Sequence, residues 1–483
     1  MRSVTNLGLK IRTLRRQAGL TQAALAAQIG ISSSYLNLLE HDRRPITTNL
    51  LLALAQHLDV DLRALAAGPD AQLLADVTEL FGDPVLDDHP LTGRDVQAFV
   101  EAAPEVARAV VRLHQAYAAA RTAMESLQTH VLDDADLARD IAGVDRARLS
   151  SEQISDFIQR HANYFPELEA EAERVRKVAD VPQADLFGGL TRYLKDAHDV
   201  SVRVITVREM AGAMRRFDVT RRRIQLSEAL PRSSRNFELA AQIGLLECSA
   251  VLDRLLEHED VTSDESRALG RVALSNYFAG AVLMPYERFL AAAQQERYDI
   301  EILGHRFGVG WEQACHRFTT LHRPGAEGVS FYFVRVDIAG NISKRFSAAG
   351  IHFPRYSGLC ALWNVHGAFL QPGRVRVQLA RLPNGRTVLT IAKTVQRYGG
   401  GYRAPDTLYA VGIGCDSEDA RRLIYTDGMD ITAADAAVPV GVTCRLCDRS
   451  NCEARVTPAL HQPLRIDENV RGISFFAPVA PNG

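Results

Sequence analysis

No apolar run in the 483-residue chain approaches the ~20 residues that a membrane-spanning helix needs. The amino end also lacks the cationic segment and short apolar core of a secretory leader, so a cytoplasmic protein is expected. Cysteine is scarce and odd in number, seven in all, which excludes a fully paired disulfide framework and leaves reduced thiols to act as metal ligands or reactive groups. An excess of one charge is missing too. With a formal net charge of -2, no whole-chain field attracts nucleic acid or membrane, and any such attraction must be local. What is present, 47 % hydrophobic and 24 % charged residues, suits a globular protein and not a disordered one. At ~100 to 200 residues per domain, the length implies three or four domains.

The first patterned stretch is basic and helical. From Leu7 to Arg16 the apolar Leu9, Ile11 and Leu14 alternate with Lys10, Arg12, Arg15 and Arg16, as in an amphipathic helix with a basic face. Thr21 caps a second helix in TQAALAAQI, whose buried side is Ala24, Leu25 and Ile29. After the turn Gly30-Ile31-Ser32, SSSYLNLLEH predicts a third helix with Leu36 and Leu39 inward and Ser33, Ser34, Tyr35 and Asn37 on or near its exposed first turns. A major groove ~12 Å wide accepts such a helix, and short polar side chains at its start can reach base edges. Over residues 1–44, Arg2, Lys10, Arg12, Arg15, Arg16, Arg43 and Arg44 stand against Glu40 and Asp42, a local positive excess able to hold phosphates. The competing reading is a small helical bundle with solvated charges. The order of caps, turn and basic flank resembles the Xre/Cro helix-turn-helix domains, which are lambda-repressor-like in fold. That resemblance implies DNA contacts at Gln22, Ser33, Ser34, Tyr35 and Asn37, with Arg43 and Arg44 in the basic flank.

Residues 69 to about 180 have helical spacing, with breaks at Gly82-Asp83-Pro84 and His89-Pro90. The stripe in VARAVVRLHQAYAAARTAMESL is either ordinary core or a seam with a second chain. Beyond Asp199, SVRVITV and RRRIQLSEAL predict short strands, and a helix is predicted from Phe237 through FELAAQIGLLECSAVLDRLL. This order resembles the ImmA/IrrE zinc metallopeptidases, in which H-E-x-x-H sets two imidazoles one turn apart around a carboxylate base. Here those positions are Ala241, Gln242 and Leu245, and Leu274 stands where the resemblance implies a third ligand. No peptide hydrolysis is expected. His258, His305 and His316 lie nearby in sequence and read as surface or core residues, not as substitutes. A degenerate zincin-like domain remains, with a cleft that binding can reuse.

Leu303 to Leu321 predicts a further helical unit, and GVSFYFVRVDIAGNISKRFS a hairpin turning at Ala339-Gly340-Asn341. A second hairpin is predicted in RVRVQLARLPNGRTVLTIAKTV, with Asn384-Gly385 as its turn. TCRLCDRSNC then brings Cys444, Cys447 and Cys452 together as C-x2-C-x4-C, interleaved with Arg445, Arg449 and Arg455. Soft thiolates favour an iron-sulfur cluster or zinc, and nearby cations and amides stabilise them. Unmetallated thiols remain an alternative. Cys360 is the better candidate for a fourth ligand and Cys415 the second, while Cys248 and Cys315 sit in helical apolar patterns and read as small buried hydrophobes.

Taken in order, these parts resemble the short-chain fatty acyl transcriptional regulators, including the bacterial regulators of propionate and glyoxylate metabolism. The likeness spans nearly the whole chain and is strongest over residues 1–60 and 275–458. It implies a sequence-specific regulator of short-chain acyl-CoA metabolism that senses an acyl-CoA; the lost zinc ligands make an enzyme unexpected, and a homodimer whose two amino-terminal domains read a palindromic operator is the expected form. A [4Fe-4S] cluster on Cys360, Cys444, Cys447 and Cys452 is implied as well. The expected fold is multidomain, mainly α with an α+β C-terminal half. Its parts are a helix-turn-helix domain over 1–68, a helical connector over 69–180, a degenerate peptidase-like domain over 181–325 and a β-hairpin-containing cysteine domain over 326–475.

Overall fold

The computed structural model describes residues 11–12, 15, 20–40, 44, 46, 50, 53–54, 57, 71–82, 86, 92–130, 150–180, 183–258, 261–351, 353, 358–397, 401, 407–431, 436–444, 447, 449, 451–458 and 473–474, with backbone alone at 71–72 and 119–130. They form two compact units, residues 1–118 with 457–471 and residues 119–456 with 472–483. Among the described residues no helix is long and apolar enough to cross a membrane.

In the first unit, helices α1 (Gln22–Gln28) and α2 (Ser33–Glu40) start where the caps are expected. Thr21 Oγ1 accepts the Ala24 amide at 3.1 Å and Ser32 Oγ accepts the Tyr35 amide at 3.1 Å. Each cap satisfies one of the amides left open at a helix start, worth ~1 kcal/mol. Ile11, Leu25, Leu36 and Leu54 close a small core. Helices α3 (Ala71–Leu80), α4 (Gly93–Ala102) and the part of α5 (Pro104–His130) up to residue 118 build a second one through Leu73, Val77, Val96, Val100 and Ala107. On α5, Val106 and Leu113 are exposed. Gly82 lies in a turn, as its expected break requires, whereas Asp83-Pro84 and His89-Pro90 lie outside the described residues.

The second unit joins α6 (Pro166–Val178), α7 (Leu186–His198), α8 (Arg232–Glu247), α9 (Asp264–Leu283) and α10 (Trp311–Phe318) in one core. Ile154, Phe157, Phe165 and Leu168 are buried in it, so residues 150–178 of the expected connector pack with the peptidase-like helices and not apart from them. A small sheet has the order β1-β3-β2, with β1 (Ser201–Ile205) parallel to β3 (Arg223–Ser227) and β2 (Arg215–Asp218) antiparallel to it. Helix α8 starts earlier than Phe237 and stops at Cys248 before a separate helix, Ser249–Leu255. The unit at 303–321 likewise divides, into Ile300–Phe307 and α10. Arg317 of α10 is 2 % exposed and grips Glu169 of α6 through N–H···O bonds of 2.6 and 2.9 Å, while Tyr277 of α9 donates to the same carboxylate at 2.7 Å. One buried polar knot therefore sets three helices against each other.

Among the described residues six strands make the larger sheet: β4 (Tyr332–Asp337), β5 (Ile342–Ser347), β6 (Arg376–Arg381), β7 (Thr387–Arg397), β8 (Thr407–Asp416) and β9 (Val438–Pro439), in the order β5-β4-β8-β7-β6-β9. Both expected hairpins are present, as β4–β5 and β6–β7. Side chains alternate across the sheet. Phe333, Leu389, Ile391, Val411, Ile413 and Cys415 enter the helical core, and Tyr332, Val334, Val388, Ala392 and Ala410 enter a second core with Trp363 and Cys360. The segment VGIGC lies in the middle of this sheet. At Gly414 a Cβ would run into the Leu389 carbonyl and the Tyr332 ring, so only glycine permits this approach.

Candidate DNA interface and cysteine centre

Helix α2 divides cleanly by exposure. Ser33, Ser34 and Asn37 face solvent, Tyr35 is half-buried, and Leu36 and Leu39 are fully buried. Arg44 is exposed, and Arg43 lies outside the described residues. Gln22, the first residue of α1, donates from Nε2 to Glu40 Oε2 at 2.7 Å and to Asn37 Oδ1 at 3.3 Å. Glu40 also accepts from Arg15 Nε at 2.6 Å and Nη2 at 3.1 Å, while Arg15 Nη1 donates to the Leu20 carbonyl at 2.7 Å. Burial pushes the Glu40 carboxyl up, but hydrogen bonds from Arg15 and Gln22 outweigh it and hold the group below the usual carboxylate range. Arg15 therefore does not belong to the phosphate-holding face, because its charge is spent inside the domain. Glu40 leaves the surface with it, so the local positive excess is unchanged. The pair stands 25 residues apart, beyond any local periodicity, and both members read as solvated charges in sequence.

At the positions of the lost zinc ligands the core is closed. Ala241, Gln242 and Leu274 are 1 %, 5 % and 1 % exposed, and Leu245 is half-buried against the same core. The three buried positions are filled by core side chains with no metal-binding donor among Ala241 and Leu274. His258 packs edge-on against Phe157 and His161, His305 is exposed, and His316 stacks on Phe333 with ring centroids 4.1 Å apart.

The cysteine loop meets the segment around Cys360 on the sheet face turned away from the helices. The Cys360 amide donates to the Val442 carbonyl at 3.0 Å, and Trp363 Nε1 donates to the Gly441 carbonyl at 2.8 Å. Gly441 admits its neighbour closely, since a Cβ there would stand 3.0 Å from Cys447 Sγ. Cys360 and Cys447 are buried, and Cys444 and Cys452 partly exposed. Burial pushes the Cys360 thiol up, the Gly441 and Leu362 amides pull it down, and Cys444 and Cys452 are near enough to raise it further. Cys415 points from β8 into the opposite, helical core, so the thickness of the sheet separates it from the loop. Cys248 and Cys315 are buried, and burial pushes the Cys248 thiol up to about 12. Arg449 donates to the Arg381 carbonyl at 2.7 Å rather than to sulfur, and Arg445 lies outside the described residues. An all-thiol donor set suits iron-sulfur or zinc chemistry. Among the described residues no three His, Cys, Asp or Glu side chains stand where they could hold a metal ion, so a centre on these four thiols requires them to turn inward.

A helix-turn-helix reader, a peptidase-like fold without its zinc ligands and a cysteine-bearing sheet define a class of DNA-binding transcriptional regulator. Residues 11–65 match the helix-turn-helix family, 195–319 the IrrE N-terminal-like domain, and 320–476 the short-chain fatty acyl coenzyme A regulator C-terminal family. The chain is 38 % identical over 468 residues to the HTH-type transcriptional regulator PrpR of Mycobacterium tuberculosis, covering 97 % of this chain and 94 % of that one. It is 39 % identical over 470 residues to the propionyl-CoA carboxylase regulator of Cereibacter sphaeroides, covering 96 % and 97 %. A solved Mycobacterium tuberculosis transcriptional regulator is similar at a TM-score of 0.65 and 38 % identity, covering 68 % of this chain and 99 % of that one. The chain belongs to the family of short-chain fatty acyl coenzyme A transcriptional regulators.

Proposed function

We propose that the protein is a homodimeric regulator that binds a palindromic operator and responds to a short-chain acyl-CoA of propionate, acetate or glyoxylate metabolism. The observation that carries this reading is α2: Ser33, Ser34 and Asn37 are exposed on a helix whose other side is buried, and the Gln22–Glu40–Arg15 network fixes its angle to α1. Tyr35 and Gln22 flank that face, and Arg43 and Arg44 supply phosphate contacts. Two copies would set two such helices ~34 Å apart, one turn of duplex. The exposed Val106 and Leu113 on α5 support a seam between copies. The name of the Cereibacter relative supports the effector class.

Cys360, Cys444, Cys447 and Cys452 are the residues that would hold a [4Fe-4S] cluster, which when bound would supply a redox-sensitive cross-link between the loop and the segment around Cys360. The buried Ala241, Gln242 and Leu274 support a scaffold that cleaves no peptide. The test is operator titration with and without propionyl-CoA, against scrambled duplex at several salt concentrations. Equal affinity for both duplexes removes the regulator reading. Protein purified without oxygen should absorb visible light and carry about four iron atoms per chain. A zinc-only preparation removes the cluster, and chelator-sensitive peptide cleavage removes the non-enzyme reading. A second reading, redox sensing without a CoA ligand, is favoured by the partly exposed Cys444 and Cys452. In that case oxidation alone shifts operator affinity.

A further inference from the structure

The cysteine loop is folded around one buried guanidinium. Arg455 is 4 % exposed. Its Nη1 donates to the Cys444 carbonyl at 2.6 Å, and its Nη2 to the Cys447 and Arg449 carbonyls at 2.7 Å each. Its amide donates to the Cys452 carbonyl at 3.1 Å, and its own carbonyl accepts Ser474 Oγ at 2.6 Å. Every cysteine of C-x2-C-x4-C is thus bonded through its backbone to the same residue. The planar fork of N–H groups suits this task, because it reaches several carbonyls in fixed directions where an ammonium is a single point. On the facing side, Cys360 and Trp363 hold the Val442 and Gly441 carbonyls, so the loop is pinned from both ends.

From this geometry we infer that Arg455 is the positioning residue of the cysteine centre. It sets the path of the loop before any metal arrives and gathers the backbone of Cys444, Cys447 and Cys452 around one side chain, on the loop that bonds to the Cys360 amide. Its charge then stays bonded to the backbone of the loop, and in a loaded site it would favour the more negative, reduced state of a cluster. The effect on a cluster rests on the four-cysteine reading, but the clamp exists in metal-free protein and is tested there separately.

The test uses the full chain as wild type, R455K and R455Q. In chelator-treated protein, alkylation by iodoacetamide is followed at each cysteine by mass spectrometry. Losing the bonds from this charged donor, R455Q should speed alkylation of Cys444, Cys447 and Cys452 about tenfold or more. Cys248, Cys315 and Cys415 should stay protected, which reports an intact fold. In protein purified without oxygen, R455Q should hold its metal about 10- to 100-fold more weakly and show a lower reduction potential. R455K, which keeps the charge and loses the fork, should lose retention while its potential stays near wild type. Unchanged alkylation of the loop cysteines in R455Q overturns the inference. If R455Q does not fold, wild-type alkylation rates in R455K overturn it instead. Wild-type protein without iron, combined with faster loop alkylation in R455Q, leaves the positioning role standing and removes the cluster.

Discussion

Removing the Glu40 carboxylate would strand the Arg15 guanidinium in a buried position, since Arg15 is 7 % exposed and two of its nitrogens point at that acid. Breaking one side of such a pair costs ~3–5 kcal/mol, so E40A should lower the stability of the helix-turn-helix unit by about that much in urea unfolding. S34A should behave oppositely, with stability within ~0.5 kcal/mol of wild type and weakened discrimination between operator and scrambled duplex. Glu312 contributes one part of the pH response, beside His316, whose burial holds its pKa down at about 3. It lies 2.8 Å from Arg335 and 3.2 Å from Lys344. Burial pushes its carboxyl up, but the Lys344 and Arg335 charges help outweigh this and hold it at about 2, against an ordinary 4.5. A lowered folded value gives stability that is full above the ordinary value and is lost as pH falls toward the folded one. E312Q should therefore be about 3 kcal/mol less stable at pH 7, and its urea midpoints should converge with wild type between about pH 4 and 2. The caps at Thr21 and Ser32 and the buried Leu36 and Leu39 were legible in sequence because each acts within a few residues. Arg15–Glu40 and Arg455 were not, because their partners are set by the tertiary fold or are backbone atoms.

Strand β8 is the element on which the larger sheet depends. It lies between β4 and β7, and Gly414 lets it come close to both. The clash that a methyl group would make there includes a backbone carbonyl, which cannot turn aside. G414A should cost about 1–3 kcal/mol or prevent folding, read as a loss of unfolding midpoint or of folded yield. In sequence the glycines of VGIGC hide the strand, because glycine reads as punctuation and interrupts the apolar alternation. Strand β2 is hidden for another reason: Arg215-Arg216-Phe217-Asp218 has no alternation at all. The two β-hairpins were visible through their turns. The choice between Cys360 and Cys415 was not, since it depends on which face of an unrecognised strand Cys415 occupies.

Across the whole molecule, charge and coupling are the measurable quantities. A net charge of -2 gives no general attraction to DNA, so binding should owe its salt dependence to few residues. R44A should lower the slope of log affinity against log salt by about 1 without changing base preference. If propionyl-CoA tightens operator binding by some factor, operator must tighten propionyl-CoA binding by the same factor, and paired titrations test that equality.

The larger sheet lends alternate side chains to two cores. Gln159 reaches Ser347 through bonds of 2.7 and 3.1 Å, so the helix at 150–160 is stitched to β5 as well. For anyone splicing relatives together, residue 320 is consequently a poor crossover point even though sequence families meet there. A hybrid joined at that position would face Leu389, Ile391 and Ile413 with foreign helices, whereas one joined upstream of 150 inherits matching surfaces and should express as folded protein.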